Sequence, residues 1–303
     1  IFGKPYAHFY IDDLSVHPIE NLNTKLGYYE TSDNVTRKFN EVIVGEKITI
    51  KNSKNLEILN NEINFLKNLP NKIKSFFPKL RFHGKNFYKM DTINGLKLSY
   101  LLINNLLTKE DLTNIFDSLS IIHKSKSKIK ETRFNIYKNY YQKLKIRLDK
   151  ERGIINKFGN KNYNKLKNFL ITYETLKKGK IGVIHGDPVL SNIIKKNTNE
   201  LVFLDPRGGQ GDEFTIYGDI NYDFSKVYQS LYGYENIILE KKIDHKYLKD
   251  LRDHFEKLLK SDKKINDINT IKYLTSSLYF SLVPFHDKKY ASKFLDISSH
   301  LIN

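Results

Sequence analysis

The chain has 303 residues, 40% of them apolar with aromatics spread throughout, which suits a globular protein with two lobes that each bury a core. No stretch approaches the roughly 18 apolar residues of a spanning helix, so no membrane span is expected, and zero Cys excludes disulfides, thiol catalysis and cysteine metal sites and points to the cytoplasm. The net charge of +17 invites a nucleic-acid reading, but only seven of the 51 basic residues are Arg and the Lys residues are diluted along the whole chain, so nucleic acid is set aside as a partner in favour of a lysine-rich surface that attracts anionic nucleotides.

In chain order, Ala7-His8-Phe9-Tyr10-Ile11-Asp12-Asp13 reads as a short strand ending in two acids. With Gly3-Lys4-Pro5-Tyr6 before it, this stretch resembles the last strand of haloacid dehalogenase-like phosphatases, whose acidic pair binds Mg2+. That resemblance implies that residues 1–23 are a linker or the tail of an upstream phosphatase-like domain, fused or partnered; the plain alternative is a strand and an acidic turn. Gly27–Glu30 and Glu41–Val44 are rich in β-formers, Gly45–Lys47 makes a turn, and Ile48–Lys51 alternates strictly. Apolar positions 56, 59, 63 and 66 predict a helix over 55–66, closed by Pro70. A strand over Phe87–Met90 precedes a break at Asn94-Gly95 and a helix start. Thr108 with Asp111 fits a capping box for a helix carrying Leu112, Ile115, Phe116, Leu119 and Ile122. Helices are predicted over roughly 133–150 and 161–178, then a strand over Ile181–Ile184 and a helix capped by Asp219 that ends before Gly233. The remainder reads as helical, interrupted at Pro284.

The segment Val183–Asn192, followed by Leu201–Asp205, carries the chemistry. Asp187 follows an apolar strand and a Gly, Asn192 lies five positions on, and Asp205 ends the next apolar strand. A base for an attacking hydroxyl and an amide–carboxylate clamp for Mg2+ are most of what phosphoryl transfer requires, because the reaction is driven by positioning and electrostatics. His185 is read as fixing the loop by hydrogen bonding.

The pattern H-x-D-x-x-x-x-N, then a strand-end Asp, resembles the aminoglycoside phosphotransferase and choline/ethanolamine kinase family, from about residue 24 to the end and most strongly over 183–233. The resemblance implies an α+β, two-lobed protein-kinase-like fold, with a small β-rich N-lobe over 24–91 and a larger, mostly helical C-lobe over 92–303. It implies Asp187 as the base, Asn192 and Asp205 as Mg2+ ligands, and Lys51 on the nucleotide phosphates with Glu62 as its ion-pair partner. Lys47 and Lys54 are rivals of Lys51, which is preferred because it ends the alternating strand. Tyr88–Thr92 looks like the hinge, putting Met90, Asp91 and Thr92 beside the adenine of ATP, or the guanine of GTP; Met90 fits a core position equally well.

The departures are informative. No G-x-G-x-x-G covers the phosphates, and the turn Ser32-Asp33-Asn34, with Ser32 first, is the candidate for that place. Asp205-Pro206-Arg207-Gly208 stands where protein kinases have D-F-G, which puts Arg207 next to the metal loop as a supporting or acceptor-pocket residue. There is no A-P-E triplet, which favours a small-molecule kinase. Asp219 and Asp223 either cap a helix and form a surface Asp223–Lys226 pair, or line an acceptor pocket or steady the catalytic loop. A negative pocket would suit an amino alcohol such as choline or ethanolamine, or an aminosugar. The string from Asp205 to Tyr234 also looks like a subgroup found beside surface-polysaccharide biosynthesis enzymes. The expectation is an ATP- and Mg2+-dependent phosphotransferase acting on a small-molecule hydroxyl in capsule biosynthesis. The alternatives are an aminoglycoside phosphotransferase and an inactive nucleotide-binding module.

Overall fold

Asn40–Val44 (β1) and Ile48–Ser53 (β2) form an antiparallel hairpin closed at Gly45, whose N–H donates to Ile48 O. A computed structural model describes residues 40–127, 135–150, 153–210, 213–262 and 267–303; the Ala7–Asp13 and Gly27–Glu30 stretches and the Ser32 turn lie outside these. Strands Leu80–His83 (β3) and Phe87–Asp91 (β4) complete an antiparallel sheet of order β1-β2-β4-β3 among the described residues. The alternation in β2 buries its polar side: Thr49, Lys51 and Ser53 face inward while Ile48 and Ile50 are half-buried. β3 is not predicted from the sequence, because it is short and its register shifts between Leu80 and Phe82.

Helix Leu56–Lys67 (α1) packs under this sheet. Its N-cap Asn55 accepts from Ile58 N at 3.1 Å, and its buried face carries Leu59, Glu62, Ile63, Phe65 and Leu66. The helix stops at Lys67, before the Pro70 that the sequence suggests as its end, because Asn68 already caps it. The interlobe stretch after β4 leads through Leu96–Lys97 (β5) and Leu98–Ile103 (α2) to Lys109–His123 (α3).

The Thr108–Asp111 capping box is formed at the start of α3, and Asp111 has a second task. Its buried carboxylate also takes Lys195 Nζ at 2.6 Å, tying α3 to the hairpin made by Ile193–Lys195 (β7) and Leu201–Phe203 (β8). Tyr141–Lys150 (α4) is shorter than predicted, since Asn135–Tyr140 forms turns before it. The stretch predicted as one helix over 161–178 is Asn160–Thr175 (α6), preceded by Ile154–Phe158 (α5), and Gly159 at φ 87° separates the two.

Ile181–Val183 (β6) precedes the loop that carries His185, Gly186 and Asp187. Beyond β8, Gly209–Gln210 (β9) and Glu213–Phe214 (β10) form a small hairpin, and Tyr217–Asp219 (β11) returns to pair with β6. These short strands give no apolar run for a sequence pattern to catch. Ile220–Ser230 (α7), capped by Asp219, and Tyr234–Ile238 (α8) follow. His245–Ser261 (α9), Ile268–Leu282 (α10) and Ala291–Ile302 (α11) complete the helical lobe. Pro284 falls in a 3-10 turn between α10 and α11. The lobe core is aromatic, with Phe224, Tyr228, Phe255, Tyr279, Phe280 and Phe294 all buried. No helix among the described residues is long and apolar enough to cross a membrane.

Asp111→Ala removes a cap and strands Lys195, so it is expected to lower stability by about 2 kcal/mol. Urea unfolding checks this; a loss within about 0.5 kcal/mol, the range of ordinary surface substitutions, would show that the Lys195 contact carries nothing.

Candidate active site

The loop after β6 is held from below. Pairing of β6 with β11, extended by Ile184 N donating to Ile216 O at 2.9 Å, brings the loop beside the start of α7. There the fully buried Asp223 accepts from His185 N (Oδ2) and Gly186 N (Oδ1), both at 2.8 Å, while His123 Nε2 lies 3.0 Å from Oδ2. The surface Asp223–Lys226 pair is therefore corrected: Asp223 is turned inward against two backbone amides, and Lys226 goes elsewhere. Gly186 stands at φ 84°, and a Cβ there would meet the Arg207 side chain at 2.9 Å, so only glycine leaves both the turn and its neighbour in place.

Asp219 does not line a pocket either. It is buried and accepts from Tyr140 and Tyr173 hydroxyls, each at 2.6 Å, and from Lys180 N and Asn221 N. Burial pushes its carboxyl up, against these four donors.

His185 links the two loops. Its Nδ1 accepts from Asp187 N at 3.1 Å and its Nε2 lies 2.8 Å from Leu204 O, which requires the tautomer with the proton on Nε2. Burial lowers its pKa, so the ring is neutral, and it stacks on Phe77. Its own carbonyl takes Arg207 N at 2.9 Å.

Asn192 ends the 3-10 turn Leu190–Asn192. Its Nδ2 donates to Asp187 O at 2.9 Å, which turns Oδ1 to the opposite side as a ligand-competent oxygen. Leu204 N donates to Asn192 O at 2.8 Å, so Asn192 and Asp205 stand at adjoining ends of the β7–β8 hairpin. Asp205 has φ 57°, a left-handed conformation that Asp tolerates better than most residues, and its carboxylate is 41% exposed. An amide oxygen and a partly open carboxylate are the hard donors that Mg2+ takes, with waters completing its shell, so this pair fits the ion.

Lys51 meets Glu62 Oε2 at 2.8 Å and Asp205 Oδ1 at 3.0 Å, and Tyr88 donates to Glu62 at 3.1 Å. Lys47 and Lys54 are exposed, so of the three lysines it is Lys51 that reaches this cluster. Burial works against the Lys51 charge, but Asp205 and Glu62 outweigh it and hold its pKa above the usual range. Glu62 is pushed up to about 7 by burial, in spite of Lys51. Gly208, at φ 59°, lies so near α1 that a Cβ would come within 2.1 Å of Asn61 O, so the metal loop and the Glu62 helix pack as one unit.

Asp187 faces cations on both sides: Lys226 Nζ is 3.0 Å from Oδ1, and Arg207 Nη2 is 3.6 Å from Oδ2. Lys226 and its neighbour Tyr222, one turn apart on α7, are missed by motif reading; their i, i+4 spacing beside Asp219 is the signal that could have found them. Glu235 is also missed. It is buried, accepts from Ser230 Oγ at 2.7 Å and Ser191 N at 3.3 Å, and so steadies the turn that carries Asn192; nothing in the local sequence marks it.

The hinge assignment needs correction in detail. Met90 is buried in β4, the Asp91 carboxylate is taken by Arg81, and the amides of Asp91 and Thr92 donate to Lys79 O and Lys47 O. Ser32 lies outside the described residues.

No family model matches the chain and no curated protein matches it. Among solved structures it is similar to choline kinase LicA from Streptococcus pneumoniae, at 16% identity and TM-score 0.55 over 87% of this chain and 89% of that one. It is also similar to the ADP-bound aminoglycoside phosphotransferase APH(2'')-Ib, at 16% identity and TM-score 0.55 over 93% and 97% of the two chains. A choline/ethanolamine kinase family protein from Mesorhizobium loti matches at 11% identity and TM-score 0.57 over 88% and 85%. The chain thus has the two-lobed, kinase-like α+β fold of these proteins.

Two outcomes follow from the buried acids. Asp223→Ala leaves two amides and His123 without their acceptor and is expected to cost about 3 kcal/mol or more in urea unfolding; under 1 kcal/mol would mean the loop holds itself. Burial raises Glu235 from 4.5 to about 6, so the stability it contributes is complete below about pH 4.5 and is lost as pH rises through about 6. Glu235→Gln lacks that loss. Its stability relative to the wild type should therefore improve across this window, by on the order of 2 kcal/mol, and a difference that does not change with pH would contradict the assignment.

Proposed function

We propose that the chain is an ATP- and Mg2+-dependent kinase that phosphorylates a hydroxyl of a small molecule. The observation that carries this reading is the convergence of Asp187, Asn192 and Asp205 with the Lys51–Glu62 pair across the cleft between the lobes. The kinase-like fold, shared with proteins named as choline kinase and aminoglycoside phosphotransferase, gives the reading its setting.

In the proposed reaction the acceptor O–H binds against Asp187, which orients it and takes its proton. The oxygen lone pair forms the new bond to the γ-phosphorus, the bond from the γ-phosphorus to the β,γ-bridging oxygen breaks, and ADP leaves with that electron pair. Lys51, held straight by Glu62, turns from Asp205 to the nucleotide phosphates. Asn192 and Asp205 would hold the metal ion, which when bound offsets charge on the phosphates. Arg207 and Lys226 keep Asp187 in place, so that it orients the hydroxyl. A cytoplasmic location suits the supply of ATP. The surface-polysaccharide setting and a phosphatase-like partner rest on sequence resemblance alone.

Asp187→Asn is expected to reduce kcat by a factor of about 10² to 10⁴ while the fold and ADP binding persist. Turnover of ATP with a panel of hydroxyl acceptors is the measurement, and full activity in a folded Asn variant would remove Asp187 from the mechanism.

A further inference from the structure

The acceptor side of Asp187 carries more positive charge than the base itself needs. Lys226 and Arg207 flank its two carboxylate oxygens. A third cation, Lys143 from α4, donates to Tyr222 OH at 3.1 Å. Lys143 and Lys226 lie 5.6 and 5.9 Å from the centre of the Tyr222 ring, which joins them into one surface. Two cations therefore share the Asp187 carboxylate, and a third stands behind Tyr222.

Among the described residues, Asp219 and Asp223 do not make this region negative: Asp219 is spent on tyrosine hydroxyls and amides, Asp223 on the amides of His185 and Gly186. Lys226 and Tyr222 are nearly excluded from solvent, so the Lys226 charge is poorly screened, while Arg207 and Lys143 are half-buried. The effect of these charges on their neighbours is large. Burial, together with Arg207 and Lys226, brings Lys143 down to about 8. Burial opposes ionisation of Tyr222, yet Lys143, Lys226 and Arg207 bring its hydroxyl down to about 8 as well. An ammonium group entering here would meet like charge, whereas an anion would relieve the crowding.

We infer that the acceptor is an alcohol that itself carries a phosphate or carboxylate group, with Lys143, Arg207 and Lys226 receiving that group and Tyr222 forming the floor between them. This rests on the phosphotransfer reading above. The cations do not merely await the γ-phosphate. Lys51 already stands on the nucleotide side, and Lys143 reaches Asp187 only by way of Tyr222, one side chain further out, where a substituent of the acceptor would lie.

The test is ATP turnover with matched acceptors: glycerol, glycerol 3-phosphate and glycerate; a neutral monosaccharide and its phosphate ester; and choline, ethanolamine and kanamycin as cations. The anionic members should exceed their neutral counterparts in kcat/KM by about 100-fold, with phosphate and carboxylate arms separating the two sources of charge. Lys143→Met should raise the KM for the anionic acceptor about tenfold with little change in kcat, and Lys143→Arg should restore it. Cationic acceptors used as well as or better than anionic ones would overturn the inference, as would a Met variant whose defect lies in the KM for ATP. Should no panel member turn over, melting in the presence of ADP decides: inorganic phosphate must raise the wild-type melting temperature beyond chloride at equal ionic strength, and less so in Lys143→Met. No such difference overturns the inference. Failure to bind ADP would instead sink the phosphotransfer reading, and a phosphate-dependent melting shift would then leave an anion site without a kinase.

Discussion

The carboxylate of Asp223 is the contact on which the site depends. It is fully buried, and an isolated buried carboxylate would be severely penalised, so it persists only because the amides of His185 and Gly186 and the His123 ring are directed at it. The arrangement works in both directions. Two amides of a sharp loop obtain a partner that no sheet or helix could supply, and the loop is fixed one residue ahead of Asp187. The position of Asp223 in the first turn of α7 adds the favourable field of a helix N-terminus to its charge.

From this anchor the geometry spreads through short polar links. His185 passes its backbone position to Leu204 and Arg207, Asn192 ties back to the carbonyl of Asp187, and Leu204 ties to the carbonyl of Asn192. The loops that carry Asp187 and Asp205 are therefore one hydrogen-bonded object. The upper lobe joins it through the Lys51–Asp205 contact, the close approach of Gly208 to Asn61 on α1 and the stacking of Phe77 on His185, among other contacts. Because α1 also carries Glu62, the same helix that packs on the Asp205–Gly208 loop holds Lys51. The two charge clusters remain distinct, Lys51 with Glu62 and Asp205 on one side and Asp187 with Lys226 and Arg207 on the other.

Much of this was legible in the sequence because it is local. The alternation of Ile48–Lys51, the spacing of α1, the Thr108–Asp111 box and the Asp219 cap are each written within one element, and each is formed. What was not legible depends on contacts between distant elements. The hydrogen bonds of Asp223 span 37 to 100 residues and those of Glu235 to Ser191 span 44, and no local pattern announces them. The short strands β9 to β11 form by pairing, not by propensity. Lys143 is one lysine among many and is distinguished only by what surrounds it.

The acidic stretch after Asp205 shows how local reading misjudges charge. In a basic chain, Asp219 and Asp223 stand out and suggest a negative pocket for an amine. Folding consumes both: their oxygens are satisfied by amides, tyrosine hydroxyls and a histidine, and little of either charge reaches the cleft. The residues that flank the Asp187 carboxylate, Arg207 and Lys226, lie in the same stretch, where sequence reading set Arg207 beside the metal loop and Lys226 in a surface pair. The field at a site is set by which charges are left unneutralised once the buried ones have found partners, and among the described residues it is Arg207 and Lys226 that stand beside Asp187.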